Sequence, residues 1–214
     1  MTGFYRLSHR ESRNTPYAST ILSSNDVNLS NCPVCGRTRF NHSNRELSLL
    51  IEGKGKLPDY LLCGHYPLII ISDKAHRALD DAGVTGYESF PVRLVSKDLG
   101  EIEQAHYHNV IITGKAELDY SQMGVEITSV CKECGAVEYN KNSWELGPAI
   151  IKENTYDGTD LFVLKHFRAA PLCTMKVLET VYKNKLTNFE FKDLETMFML
   201  MPPSNPIDLK ELFG

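Results

Sequence analysis

The sequence lacks the segments that would place the protein in a membrane or mark it for secretion. It contains no apolar run of about 18 residues, so we predict no helix that spans a bilayer. The opening segment, MTGFYRLSHRE, is too polar and charged for a secretory signal peptide. These absences favour a cytoplasmic location, where thiols stay reduced and paired CxxC motifs are more often metal sites than disulfides.

The motifs of nucleotide-binding and hydrolytic enzymes are missing as well. The sequence has no GxxxxGK[ST] loop, no GxGxxG fingerprint after a strand, no GxSxG elbow and no HExxH pair. His9 and Glu11 ahead of Cys32 superficially resemble the HxE…PCxxC signature of zinc deaminases. However, Asn31 stands where that signature has proline, and too few residues precede His9 for the deaminase fold. We therefore predict that the protein is not an enzyme.

The sequence also lacks an excess of basic charge. It has 23 Lys and Arg against 27 Asp and Glu, a net charge of −4, whereas general nucleic-acid binding needs a basic face. The segment KDLGEIE at 97–103, together with Asp80 and Asp81, is a candidate acidic surface that could steer a cationic partner. The alternative is that this segment is only a solvated face.

Two copies of one cysteine pattern are the main chemical signal in the sequence. They are CPVCG at 32–36 and CKECG at 131–135. The two sulfurs of a CxxCG turn can bind one metal ion, and two such turns supply a complete tetrahedral site. We predict one structural Zn²⁺ per chain, held by Cys32, Cys35, Cys131 and Cys134. The alternatives are two unrelated loops that bind nothing, or a redox pair, although neither motif opens a helix after a strand.

The remaining cysteines and a pair of histidines have weaker signals. Cys63 and Cys173 lie in apolar surroundings and are predicted to be small buried hydrophobes. His106 and His108 would lie on one face of a strand and could bind a metal. The alternative for the histidines is an ordinary exposed or core position.

Two segments of the sequence follow the same order of features. Ser72 is a predicted N-cap of a helix that ends at Gly83, and Thr174 is the corresponding residue of a helix over 174–185. The offset is 99 residues for the cysteines (131 − 32) and 102 for the helix exits (186 − 84). A steady offset favours an old internal duplication, and coincidence is the alternative.

These patterns predict an α+β fold of two similar strand–helix–strand units whose zinc-ribbon-like knuckles share one zinc site with four cysteine ligands. The units would be 1–110 and 111–214, packed as one compact domain. Strands are predicted within 1–8, 65–71 and 84–94, and 11–31 is predicted to be a polar loop.

The paired cysteine motifs also carry a resemblance to a known family. Each motif is followed by a Ser/Thr-capped helix and an L/V-T-[GN]-aromatic-Glu exit, and together they resemble the double-CXXCG-motif proteins of myxobacteria and other bacteria. The segment LIIISDKAHRALDDAGVTGYESFPV is similar to a repeating unit in immunity proteins of polymorphic toxin systems. The resemblance covers residues 1–195. It implies a cytosolic immunity protein that neutralises a cognate protein toxin, with structural zinc at the four motif cysteines.

Two questions stay open at this point. A zinc-ribbon adaptor or regulator that contacts nucleic acid or a larger complex is the alternative function, supported by Arg37, Arg39 and Arg45 beside the first motif. The resemblance transfers no toxin-contacting residue. Candidate aromatic anchors, each of which could instead be core, are Tyr87, Phe90, Trp144 and Tyr156.

Overall fold

The computed structural model describes residues 3–9, 15–21, 27–42, 47–63, 68–96, 100–101, 106–141, 148–194 and 206–214. Strands dominate this part of the chain. They are β1 (Phe4–His9), β2 (Tyr17–Ile21), β3 (Val27–Asn31), β4 (Thr38–His42), β5 (Leu47–Glu52), β6 (Tyr60–Cys63), β7 (Ile69–Ser72), β8 (Tyr87–Ser96), β9 (Gly100–Glu101), β10 (Tyr107–Ile112), β11 (Gly114–Ala116), β12 (Ile127–Val130), β13 (Val137–Tyr139), β14 (Leu161–Leu164), β15 (Phe167–Thr174) and β16 (Phe189–Asp193).

The helices are few and short. In the described ranges they are α1 (Asp73–Asp81), α2 (Met175–Lys183) and α3 (Leu209–Phe213), together with a 3-10 turn at Glu153–Thr155. Among the described residues, no helix has the length and apolar character needed to cross a bilayer.

Six strands close into a barrel in the order β2–β5–β8–β10–β7–β6, with β6 pairing back to β2. Neighbouring strands are antiparallel except in the β2–β6 and β5–β8 pairs, which are parallel. Alternate side chains of a barrel strand point inward, and here they fill the interior with a tightly buried apolar core. Its fully buried members include Leu49, Leu61, Ile70 and Leu94.

A separate five-stranded sheet has the order β11–β14–β15–β1–β16. One hydrophobic core joins this sheet to the barrel and to both longer helices, since Leu7, Ile71, Leu79, Val177 and Phe191 belong to one buried cluster. A further cluster, which contains Phe162 and Leu172, packs against the loops that follow β11. In this sheet, strand β1 lies between β15 and β16, which come from the far end of the chain.

The predicted α+β fold of two strand–helix–strand units is wrong, because the structure is mostly β and contains a closed six-stranded barrel. The segment predicted to be a polar loop, 11–31, contains β2 and β3. Strand β2 has the sequence YASTI, in which Ala18 is fully buried and Tyr17 is exposed, so its hydrophobic signal is weak. Barrel closure also depends on pairings between distant strands, which a local pattern does not reveal.

The predicted helix starts agree with the structure in position. The Ser72 hydroxyl accepts the backbone N–H of Ala75 at 3.1 Å, which confirms the predicted N-cap of α1. Thr174 holds the matching position before α2 but makes no capping hydrogen bond, and its hydroxyl instead donates to Asp160 at 2.9 Å.

Two aspartates make matching contacts across the molecule. Asp59 accepts the backbone N–H and the hydroxyl of Thr187 at 2.8 and 2.9 Å. Asp160 accepts the backbone N–H and the hydroxyl of Thr85, both at 3.0 Å. The offsets are 102 residues for the threonines (187 − 85) and 101 for the aspartates (160 − 59). Asp59 thus holds the turn that follows α2, and Asp160 holds the turn that follows α1. The duplication and the division at residue 110 remain predictions.

Candidate metal centre

Both CxxCG motifs lie in the turns of two-stranded hairpins, β3–β4 and β12–β13. Within each turn the glycine N–H donates to the carbonyl of the first cysteine at 2.8 Å, from Gly36 to Cys32 and from Gly135 to Cys131. Both glycines have positive φ, 70° and 68°, where a residue without a side chain is favoured. The two knuckles therefore have the same backbone conformation.

The structure brings the four predicted cysteines together. Their sulfurs all lie within 4.8 Å of one another. The Cys32–Cys131 Sγ–Sγ distance is 3.8 Å and the Cys35–Cys134 distance is 3.4 Å. A tetrahedral ion with metal–sulfur bonds of about 2.3 Å separates its ligands by about 3.8 Å. The cluster could therefore hold a metal ion with four thiolate ligands.

Backbone amides that face the sulfurs prepare the cluster for negative charge. The N–H of Cys35 lowers the pKa of the Cys32 thiol to about 6, and the N–H of Ala136 lowers the pKa of Cys134. At Cys35 the N–H of Arg37 acts in the same direction. Neighbouring sulfurs and burial outweigh that N–H and raise the pKa of Cys35 to about 12. Four adjacent thiols cannot all ionise without a cation, and a bound divalent ion would hold all four as thiolates.

Arg37 joins the two hairpins independently of a metal. Its Nη1 donates to the carbonyl of Val137 at 2.9 Å, and its Nη2 lies 3.9 Å from the carboxylate of Glu138. The guanidinium thus makes contacts within the protein while its side chain stays half exposed, and the adaptor hypothesis that invoked it remains a prediction. The side chain of Arg39 and the whole of Arg45 fall outside the part that the structure describes.

Exposed apolar side chains lie beside the cluster, among polar ones such as Arg37 and Glu138. Large exposed hydrophobic side chains in the described part of the chain are Tyr17, Val34, Ile127, Val130 and Leu212. Three of these five lie on the metal-site hairpins, and Val34 and Val130 are 68% and 55% exposed. Both valines line a shallow depression together with Cys35 and Ala136. We name Val34, Ile127 and Val130 the knuckle patch.

The other predicted residues have varied positions. Cys173 is fully buried, which confirms its prediction, and desolvation raises the pKa of its thiol. Cys63, predicted to be a small buried hydrophobe, packs against the barrel core but is only partly buried. The Tyr156 ring packs edge-to-face against Phe4 and at a tilt against Phe162, at the edge of a core cluster.

The candidate anchors and the candidate acidic surface are only partly described. Tyr87 is half-buried and donates to Asp80 at 2.6 Å, and Phe90 is half-buried as well. Trp144 and most of the acidic segment at 97–103 fall outside the described residues.

The two histidines predicted to share a strand face do not form a site with each other. His106 is exposed before β10, whereas the His108 ring stacks on His76 of α1 with a centroid distance of 4.2 Å. Asp73 completes a group with these two rings. Sequence reasoning missed this group because the only signal is the spacing of Asp73 and His76, three residues apart on one helix.

The hydrogen bonds of His76 exclude a Ser–His–Asp triad at this group. Both the hydroxyl of Ser89, at 2.6 Å, and the carboxylate of Asp80, at 3.5 Å, face the same ring nitrogen, Nε2. A triad requires the two groups on opposite nitrogens.

Compared with models of protein families and with curated proteins, the sequence matches none of them.

Proposed function

We propose that the protein binds and neutralises a cognate bacterial protein toxin in the cytoplasm, and that it acts by binding rather than by catalysis. The observation that carries the proposal is the knuckle patch, an exposed apolar surface on two hairpins that the cysteine cluster joins. Apolar side chains of this kind, surrounded by polar groups, are typical of protein-binding sites. The resemblance of the paired CxxCG motifs to immunity proteins supports a toxin as the partner.

We further propose that the cysteine cluster holds one structural Zn²⁺. Four thiolates at tetrahedral spacing suit this ion, and a four-cysteine site has no open position for water or substrate. The ion would fix the two hairpins relative to each other. A rigid patch loses less conformational entropy on binding, so the metal would raise affinity without contacting the toxin.

The experiment is co-expression with a neighbouring gene product that is toxic when expressed alone, which the proposal expects to exist. The wild-type protein is expected to restore growth, and the double variant V34E/V130E is expected to lose rescue because two charges would be buried at the interface. L212E is the matched control, since Leu212 is also exposed, at 43%, but lies on α3. All three proteins are expected to contain about one Zn per chain, as four thiolate ligands imply.

The possible outcomes separate the parts of the proposal. Failure of the wild-type protein to rescue or bind the toxin would overturn the immunity function. Rescue that survives V34E/V130E would remove the knuckle patch from the interface. Loss of zinc in the double variant would mean that a damaged metal site, rather than a lost contact, caused the effect.

A further inference from the structure

A second group of metal-ligating side chains lies where α1 meets the barrel. Asp73 and His76 come from the first turn of α1, and His108 comes from β10. Their ligand atoms all lie within 4.8 Å of one another. The group shares no residue with the cysteine cluster.

Rigid elements hold these three side chains. In the sheet register, His108 is paired with Ile71 of β7 on one side and Pro91 of β8 on the other. The backbone N–H of Asp73 donates to the carbonyl of His106 at 2.9 Å, which ties the start of α1 to the start of β10. The side chains of His76 and His108 are only 17% and 20% exposed. Ligands on regular, partly buried elements keep their relative positions better than ligands on loops.

Neighbouring groups orient two of the three candidate ligands, Asp73 and His76, and Asp73 in turn faces the third, His108. Arg77 Nη2 lies 2.6 Å from Oδ2 of Asp73, which leaves Oδ1 of the same carboxylate facing His108 Nε2 at 3.3 Å. Asp80 and Ser89 contact Nε2 of His76. Outer hydrogen-bond partners of this kind fix the orientation of metal ligands in known sites.

Helix α2, which matches α1 in its position and in the turn that follows it, has no counterpart of this group. Met175 and Leu178 of α2 occupy the positions that match Asp73 (175 − 73 = 102) and His76 (178 − 76 = 102). Helix α2 is nevertheless followed by a turn held by an aspartate, as α1 is. The arrangement that α1 and α2 have in common therefore does not need the metal-ligating side chains of α1.

We propose that Asp73, His76 and His108 bind a divalent transition-metal ion such as Zn²⁺, Co²⁺ or Ni²⁺. Two imidazoles and one carboxylate are a ligand set that these ions accept, with water in the remaining positions. The two rings are nearly parallel, with 13° between their planes. Because nitrogen lone pairs lie in the ring plane, binding requires one imidazole to turn about its Cβ–Cγ bond. The ring that turns is that of His108, so that His76 keeps its contacts with Ser89 and Asp80, and the stacking ends.

The test counts metal ions in the intact protein. Protein with its cysteine cluster already filled is exposed to excess Zn²⁺, desalted and analysed for metal, and the same protein is titrated with Co²⁺. We expect two Zn per chain, and Co²⁺ absorption bands without the sulfur-to-metal charge transfer that thiolates produce. H76A and H108A are each expected to retain one Zn. H106A is the matched control, because His106 is exposed and outside the group, and it should retain two.

Two outcomes would overturn the second site. One Zn per chain in the wild-type protein is the first, and equal loss in H106A and H108A is the second. D73N guards against variants that fold poorly, since it keeps the size of the side chain. It should weaken binding of the second ion at least about tenfold while leaving the melting temperature of metal-free protein close to that of the wild type.

Discussion

At the scale of single residues, Asp59 and Asp160 are each a largely buried carboxylate that holds a turn from elsewhere in the chain. Their side chains are 13% and 14% exposed. Burial by itself raises the pKa of Asp59, but hydrogen bonds from Ser72 and Thr187 and the charge of Lys74 outweigh burial and leave the pKa lowered. The pKa of Asp160 is lowered in the same way by hydrogen bonds from Lys176, Thr85 and Thr174.

These lowered pKa values predict loss of stability in acid. Between the folded pKa and the ordinary value of 3.8, the unfolded chain holds more protons than the folded one. The two carboxylates therefore contribute their full stabilisation above about pH 3.8. The free energy of unfolding decreases as the pH falls through their folded pKa values. D59N and D160N are each expected to cost on the order of 2 kcal/mol at pH 7 and to reduce this acid dependence.

Urea unfolding at pH 7 and at several values below 4 measures both effects. D81N is the control, since Asp81 is exposed at the end of α1, and its cost should stay within about 0.5 kcal/mol. An acid dependence in D59N/D160N equal to that of the wild-type protein would contradict the role of these carboxylates.

At the scale of elements, the turns after α1 and α2 both need a residue with positive φ and use different residues for it. Gly86 and Asn188 both have positive φ, 91° and 68°. The amide of Asn188 donates to the carbonyl of Tyr60 at 2.7 Å. At Gly86, an ideal Cβ would lie only 2.1 Å from the carbonyl oxygen of Leu161. The first turn therefore requires glycine, whereas the second has room for a side chain.

This difference predicts that G86A destabilises the protein by more than about 1 kcal/mol, since it combines an unfavourable φ with a steric clash. G158A is the matched control. Gly158 also has positive φ, 81°, but a Cβ there would have no atom within 4 Å. Thermal unfolding of both variants separates the two contributions, and equal losses would show that the close approach at Gly86 is unimportant.

At the scale of the whole molecule, short-range patterns were readable from the sequence and strand pairing was not. The Ser72 cap and the two longer helices follow from local residue types, and the repeated spacing correctly singled out four cysteines that come together. Closure of the barrel could not be predicted, because β5 pairs with β2 and β8 for reasons of long-range packing. The contact between His76 and His108 was hidden for the same reason, since it joins a helix to a strand.

The architecture also predicts how metal removal affects the protein. The barrel and the five-stranded sheet have their own buried cores, whereas Cys32 and Val137 are the buried residues of the two hairpins among those whose burial is described. We expect a zinc chelator to increase hydrogen exchange in 27–42 and 127–139 while the barrel amides stay protected. The variant C35S/C134S should exchange in the same pattern without chelator.

C63S is the control for that experiment, because Cys63 lies at the barrel and outside the cluster. It should keep its metal and the wild-type exchange pattern. Uniform loss of protection across the chain after chelation would contradict a local role for the ion.

The position of β1 has a consequence for the order in which the chain can fold. The Ser8 hydroxyl donates to the carbonyl of Glu190, 182 positions later in the sequence. During synthesis the barrel strands, which end at Ile112, all emerge long before β15 and β16. The barrel can thus form on the ribosome while β1 lacks both of its strand partners, and its unpaired edges are exposed to other nascent chains. Slow translation between the barrel and β15 would lengthen that exposure.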